Sequence, residues 1–162
     1  MKNGEGKVNI YDSNLPFGGL IMTGEVLNYE LNGEFILYYD GYKPKFRGNY
    51  LKGKILNGTG YDIKNNIAYT LKNGNGLIKE YDDEGNLIFE GEYLNGKRNG
   101  KGKEYDDDGN LRFEGEYLYN QRRKGKYYIN NNLEYEGDYI YDKKWNGKGY
   151  DENGNIIYEL IY

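Results

Sequence analysis

The chain has no cysteine and no histidine, a single serine and only two prolines in its 162 residues. Without thiols there is no disulfide framework and no thiolate nucleophile. Without imidazole the chain lacks the side chain that most often moves protons or binds metals near neutral pH, and Ser13 cannot belong to a Ser-His-Asp arrangement. No apolar run approaches the length of a membrane-spanning helix, and residues 1–14 carry no apolar h-region of a secretory signal. A soluble protein of the cytoplasm is the expectation, and the residue types leave no cofactor, metal or catalytic set to assign.

What the chain does have is tyrosine and glycine, 21 and 25 residues. Only 37% of it is hydrophobic, so any core must be thin and aromatic, and 17% aromatic residues are too many for a coreless, solvated chain. A formal net charge of −4 argues against nucleic acid as a partner, since that would need a basic stripe.

Residues 87–110, LIFEGEYLNGKRNGKGKEYDDDGN, form the unit from which the rest is copied. Glycines equivalent to Gly91 recur at Gly24, Gly48, Gly115 and Gly137, with steps of 24 residues from Gly24 to Gly48, 24 from Gly91 to Gly115 and 22 to Gly137. Such a period marks a repeat architecture. The units run over residues 1–19, 20–43, 44–66, 67–86, 87–110, 111–132 and 133–155, with a partial unit at 156–162. The array reads as a segment of a longer solenoid or multidomain protein. Unit 67–86 is short, with Leu71 where the others have glycine and Asn73-Gly74 as its turn.

Within a unit, alternation puts Leu87, Phe89, Gly91 and Tyr93 on one strand face and Glu90 and Glu92 on the other. Asn95-Gly96 and Asn99-Gly100 read as turn residues, Lys101 to Tyr105 as a return strand, and Asp106 to Asn110 as the next reversal. Glycine every few residues rules against helix. The expectation is therefore an all-β fold, an elongated single-layer antiparallel β-hairpin solenoid of about seven hairpins joined into one ribbon, because one hairpin alone is marginal in water. Glycine inside a strand lets another group approach the backbone, so rings are expected over Gly91 and its equivalents. The columns Phe46, Phe89, Phe113, Tyr135, Tyr158 and Tyr50, Tyr93, Tyr117, Tyr139 should stack along the ribbon.

Phe89-Glu90-Gly91-Glu92-Tyr93-Leu94-Asn95-Gly96-Lys97 followed by Gly100-Lys101-Gly102 resembles the MORN (membrane occupation and recognition nexus) repeat, as do Phe113-Glu114-Gly115-Glu116-Tyr117 and Tyr135-Glu136-Gly137-Asp138-Tyr139 with Gly147-Lys148-Gly149. The resemblance implies β-hairpin solenoids that act as protein-interaction scaffolds, often beside other domains, with phospholipid or membrane association. It implies no catalysis by the repeats.

Asp106-Asp107-Asp108-Gly109 fails as a calcium loop, since Gly115 stands where the bidentate glutamate should be. Gly100-Lys101-Gly102 lacks the spacing of a phosphate loop. The recurring glutamates could form carboxylate pairs, but a glycosidase site should be singular, not repeated.

Charge is more informative. Lys97, Arg98, Lys101, Lys103, Arg122, Arg123, Lys124, Lys126, Lys143, Lys144 and Lys148 are expected along one hairpin edge. Asp82, Asp83, Glu84, Asp106 to Asp108, Asp151 and Glu152 would line the other. A basic edge makes the first set candidate contacts for an anionic phospholipid membrane. Tyr38, Tyr39, Tyr119, Tyr127, Tyr128 and Tyr141 exceed what an alternating core needs, and with Trp145, the one tryptophan, they are candidate contacts for a protein partner. The expected role is a non-catalytic scaffold for protein–protein interaction, with peripheral membrane binding as the alternative and self-association through open ribbon ends as a further route.

Overall fold

The computed structural model describes residues 4–12, 19–39 and 43–162, and all of its elements are strands. β1 (Glu5–Asp12), β2 (Gly19–Leu27), β3 (Glu30–Tyr38), β4 (Pro44–Leu51), β5 (Lys54–Tyr61) and β6 (Ile67–Leu71) form one sheet in chain order. β7 (Gly76–Tyr81), β8 (Leu87–Leu94), β9 (Lys97–Tyr105), β10 (Leu111–Leu118), β11 (Gln121–Ile129), β12 (Asn132–Ile140), β13 (Lys143–Tyr150) and β14 (Ile156–Leu160) form a second. Within each sheet every strand pairs antiparallel with its sequence neighbours, the successive-hairpin architecture that the period implies. One expectation changes: the ribbon is not continuous. It divides between β6 and β7, which share only the Lys72–Asn75 bridge.

Local chemistry explains the reversals. Asn95-Gly96, Tyr119-Asn120 and Tyr141-Asp142 each have two positive φ angles, 54° and 74°, 52° and 72°, and 51° and 61°. Two consecutive left-handed residues make the primed turn whose twist matches the flanking strands. At the opposite edge, the Oδ1 atoms of Asp82, Asp106 and Asp151 accept the backbone N–H of the asparagine four residues on, at 2.7, 2.8 and 2.8 Å. These aspartates are structural caps as well as surface charge. Asn99-Gly100, expected as a turn, lies instead inside β9, where the register slips between the Gly91–Gly102 and Tyr93–Arg98 pairs. Gly100 absorbs this bulge at φ 104°.

The core is a single file of rings. Phe89, Phe113 and Tyr135 are each 0% exposed although no second sheet is stacked on them among the described residues. The two expected columns merge into a zigzag: Phe89–Tyr117, Tyr117–Phe113, Phe113–Tyr139 and Tyr139–Tyr135 have centroids 5.3 to 5.5 Å apart and meet edge to face. Each such pair contributes about 0.5–1.5 kcal/mol beyond its buried area. Below each ring is a cross-strand pair of glycines. A Cβ on Gly91 would come within 2.6 Å of the Gly102 Cα and 2.7 Å of the Phe89 ring. Above each ring is a cation: Arg98 lies 4.0 Å from the Phe89 centroid, Arg122 4.7 Å from Phe113 and the Lys144 Nζ 5.1 Å from Tyr135.

Phe113→Ala should therefore cost about 3–5 kcal/mol in urea unfolding, because it empties a site whose floor is glycine and whose lid, Arg122, is held by Glu104. Gly115→Ala should be strongly destabilising too, since its methyl would meet the Gly125 Cα at 2.7 Å. A loss below about 1 kcal/mol for either variant would contradict the ring-on-glycine core.

Candidate functional site

The second sheet has two chemically different faces and two edges, and the candidate residues distribute among them. On the aromatic face, Glu80 accepts hydrogen bonds from the Tyr93 hydroxyl and from the Arg98 Nε and Nη2, the latter two at 2.8 and 2.7 Å. One repeat on, Glu104 accepts from the Tyr117 hydroxyl at 2.7 Å and from the Arg122 Nε at 3.1 Å, and Arg98 Nη1 lies 3.7 Å from it. Burial opposes a charged Glu104, but the hydrogen bonds from Arg122 and Tyr117 outweigh it and hold the carboxyl below its ordinary range. In the third repeat Tyr127 takes the place of this glutamate. The Tyr139 hydroxyl is then buried without a partner, and Lys144 pairs with Glu134 instead. Arg98, Arg122 and Lys144 are thus committed to the core and are not turn-edge cations.

The opposite face is a charge ladder. Cross-strand partners run Lys79, Glu90, Lys103, Glu114, Lys126, Glu136, Lys148, Glu159 across all eight strands. A parallel row runs Lys101, Glu116, Lys124, Asp138. Lys101, Lys103, Lys124, Lys126 and Lys148 therefore stand within the sheet, each beside carboxylates, and do not make a basic edge. The closest approaches, Lys79–Glu90 and Lys126–Glu136, are 4.0 Å, so these are loosely paired surface charges. Between the rows, the glycine positions leave an open trough of about 750 Å³, floored by Gly91, Gly102, Gly115 and Gly125. Tyr105 and Tyr128 bridge the ladder by donating to Glu90 and Glu114, both at 2.7 Å. Burial and these carboxylates push each phenol up to about 12.

The edge carrying the two-residue turns is where exposed groups collect. Leu94, Leu118 and Ile140, each the last residue before a turn, are exposed, as are Tyr119 at 65% and Tyr141 at 76%. Lys97, Arg123 and Lys143 are the exposed cations near these turns, and Lys97 Nζ lies 5.7 Å from the Tyr119 centroid. The remaining aromatic candidates are not available in the same way. Tyr39 is 1% exposed and donates to the Tyr61 carbonyl at 2.8 Å. Tyr38, Tyr127 and Tyr128 are half-buried, and half-buried Trp145 stacks on Tyr162 with centroids 4.3 Å apart. Sequence reasoning missed the row Leu94, Leu118, Ile140, although its signal was present: an aliphatic residue recurs immediately before each turn.

Among the described residues no group of carboxylates could hold a metal ion, and no helix is long and apolar enough to cross a membrane. Ser13 lies outside the described residues. No protein-family model and no curated protein matches the chain.

The titrating groups predict an unusual pH profile. Glu104 has a lowered folded pKa, so its contribution is present above the ordinary carboxylate range and is lost as pH falls through its depressed value. Tyr93, Tyr117 and Tyr139 are raised by burial, so their contribution is present below about 10 and is lost as pH rises beyond it. With no histidine or cysteine side chain titrating between, Tm should be flat from about pH 6 to 9 and fall on both sides. A step in Tm near pH 6.5, about the histidine value, would contradict this.

Proposed function

We propose that the chain is a non-catalytic repeat scaffold that binds another protein along the turn edge of its second sheet and the adjoining trough. The observation that carries this reading is the exposed row Leu94, Leu118, Ile140 with Tyr119 and Tyr141. Single exposed apolar residues are ordinary, but five recurring at one edge form a patch of the kind that marks interaction surfaces, and tyrosine is a preferred anchor there. The resemblance to MORN repeats supports the same role. The ring-on-glycine core fits it too, because a rigid single-layer sheet presents its edge without rearrangement.

A second reading has its own observation. Lys97, Arg123 and Lys143 flank the exposed tyrosines, and an edge of aromatic tips with cations beside them suits the headgroup region of an anionic bilayer.

The two readings separate experimentally. Cross-linking capture with the full chain should recover partners that are lost with Leu118→Asp/Tyr141→Ser, whereas Lys97→Glu/Lys143→Glu should weaken capture less. Flotation with vesicles containing phosphatidylserine should be negative; flotation that vanishes in Lys97→Glu/Lys143→Glu would favour the membrane reading. Capture unaffected by the apolar variant would overturn the scaffold surface assigned here.

A further inference from the structure

The short hairpin β6–β7 lacks two groups that the following hairpins supply. From Tyr69 to Tyr81 it spans 12 residues, against 16 from Phe89 to Tyr105 in the next hairpin. The deleted stretch would have carried the second ring, Tyr93, Tyr117 or Tyr139 elsewhere, and the cationic lid, Arg98, Arg122 or Lys144 elsewhere. Asn73 stands where the ring should be, but it is a turn residue at φ 51° and is exposed. Leu71 and Ile78, both buried, replace the glycine pair, and Tyr69 lies over Gly60 instead.

The ring file is interrupted as a result. Phe46–Tyr69, 6.0 Å apart, ends it in the first sheet, and Tyr93–Phe89, 6.2 Å apart, begins it in the second. A cavity of about 400 Å³ occupies the break, lined by Ile55, Tyr69, Leu71, Ile78 and Tyr93, with Glu80 in its wall. Its size is that of a small-molecule site, and its lining is mostly apolar.

Glu80 marks what is missing. Glu104, its equivalent one repeat on, lies between two guanidiniums, Arg122 and Arg98. Glu80 has Arg98 on one side, and the second cation would have come from the deleted lid. The two lysines at the cavity are engaged elsewhere: Lys45 donates to the Asp82 carbonyl and to Asp83 at 3.3 and 3.0 Å, and Lys79 pairs with Glu90.

We propose that this junction cavity binds a small planar aromatic cation. The ring completes the interrupted file between Tyr69 and Tyr93, and the cationic end takes the vacant side of Glu80. Cation–π and stacking contacts supply the affinity that the missing tyrosine and arginine supply within other repeats.

Benzamidine carries both elements, and benzamide is its neutral counterpart. In amide NMR titrations of the full chain, benzamidine should give saturable shifts at Leu71 and Ile78, with benzamide binding about fivefold more weakly or worse. Glu80→Gln should erase that preference. Glu104→Gln removes the same kind of carboxylate one repeat further on and should leave the preference intact while costing comparable stability. The site is overturned by the absence of saturable benzamidine shifts at millimolar concentration, or by shifts confined to other residues. The charge assignment is overturned by equal binding of the two probes to the native chain, or by a preference that survives Glu80→Gln. Were Glu80→Gln not to fold, the two-probe comparison on the native chain would still decide.

Discussion

An aromatic ring seated against a cross-strand pair of glycines is the contact on which this structure depends. A single-layer sheet has no opposing layer to bury its apolar face, so each ring must find its own shelter. Glycine lets the ring sink onto the backbone, the tyrosine of the adjacent hairpin closes one side, and the arginine above closes the top. Remove the Cβ-free floor and the ring is lifted toward solvent, taking the edge-to-face contact and the cation with it. This is why 37% hydrophobic residues suffice for a folded chain.

The same dependence explains where the sheet divides. The β6–β7 hairpin has Leu71 and Ile78 at the glycine positions and no arginine lid, and it is there that the ladder is interrupted. Tyr158, facing Leu160 where a glycine pair would be, likewise lies over Gly149 instead, as Tyr69 lies over Gly60. Two strands with leucine at this glycine position, Leu71 and Leu160, thus show the same displacement of the ring.

Much of this was legible in the residues. The 24-residue step located the hairpins, alternation separated Phe89 and Tyr93 from Glu90 and Glu92, and Gly91 announced a close approach to the backbone. The charged residues were harder, for a physical reason. In β11 one extra residue between the Glu116–Lys124 and Tyr117–Arg122 pairs changes the parity of the strand, so Arg122 falls on the aromatic face while Lys124 and Lys126 do not. Strand period alone cannot assign a face across such a bulge, and cations written close together in the chain end in three different surroundings. Glu80 and Glu104 gave no local signal either, since their partners Arg98 and Arg122 stand 18 residues away in each case.

The strictly sequential strand order has a kinetic consequence. Every strand pairs with the one before or after it, so closing each hairpin costs only a short loop and the relative contact order is low for an all-β protein. Folding can begin at any intact hairpin and extend to its neighbours as a one-dimensional chain of coupled units, each held by its own strength and by the interface to the next. The interrupted ladder at β6–β7 is the weakest coupling in that chain. It divides the molecule into two cooperative blocks, and hydrogen exchange in β1–β6 can proceed by openings that leave β7–β14 protected.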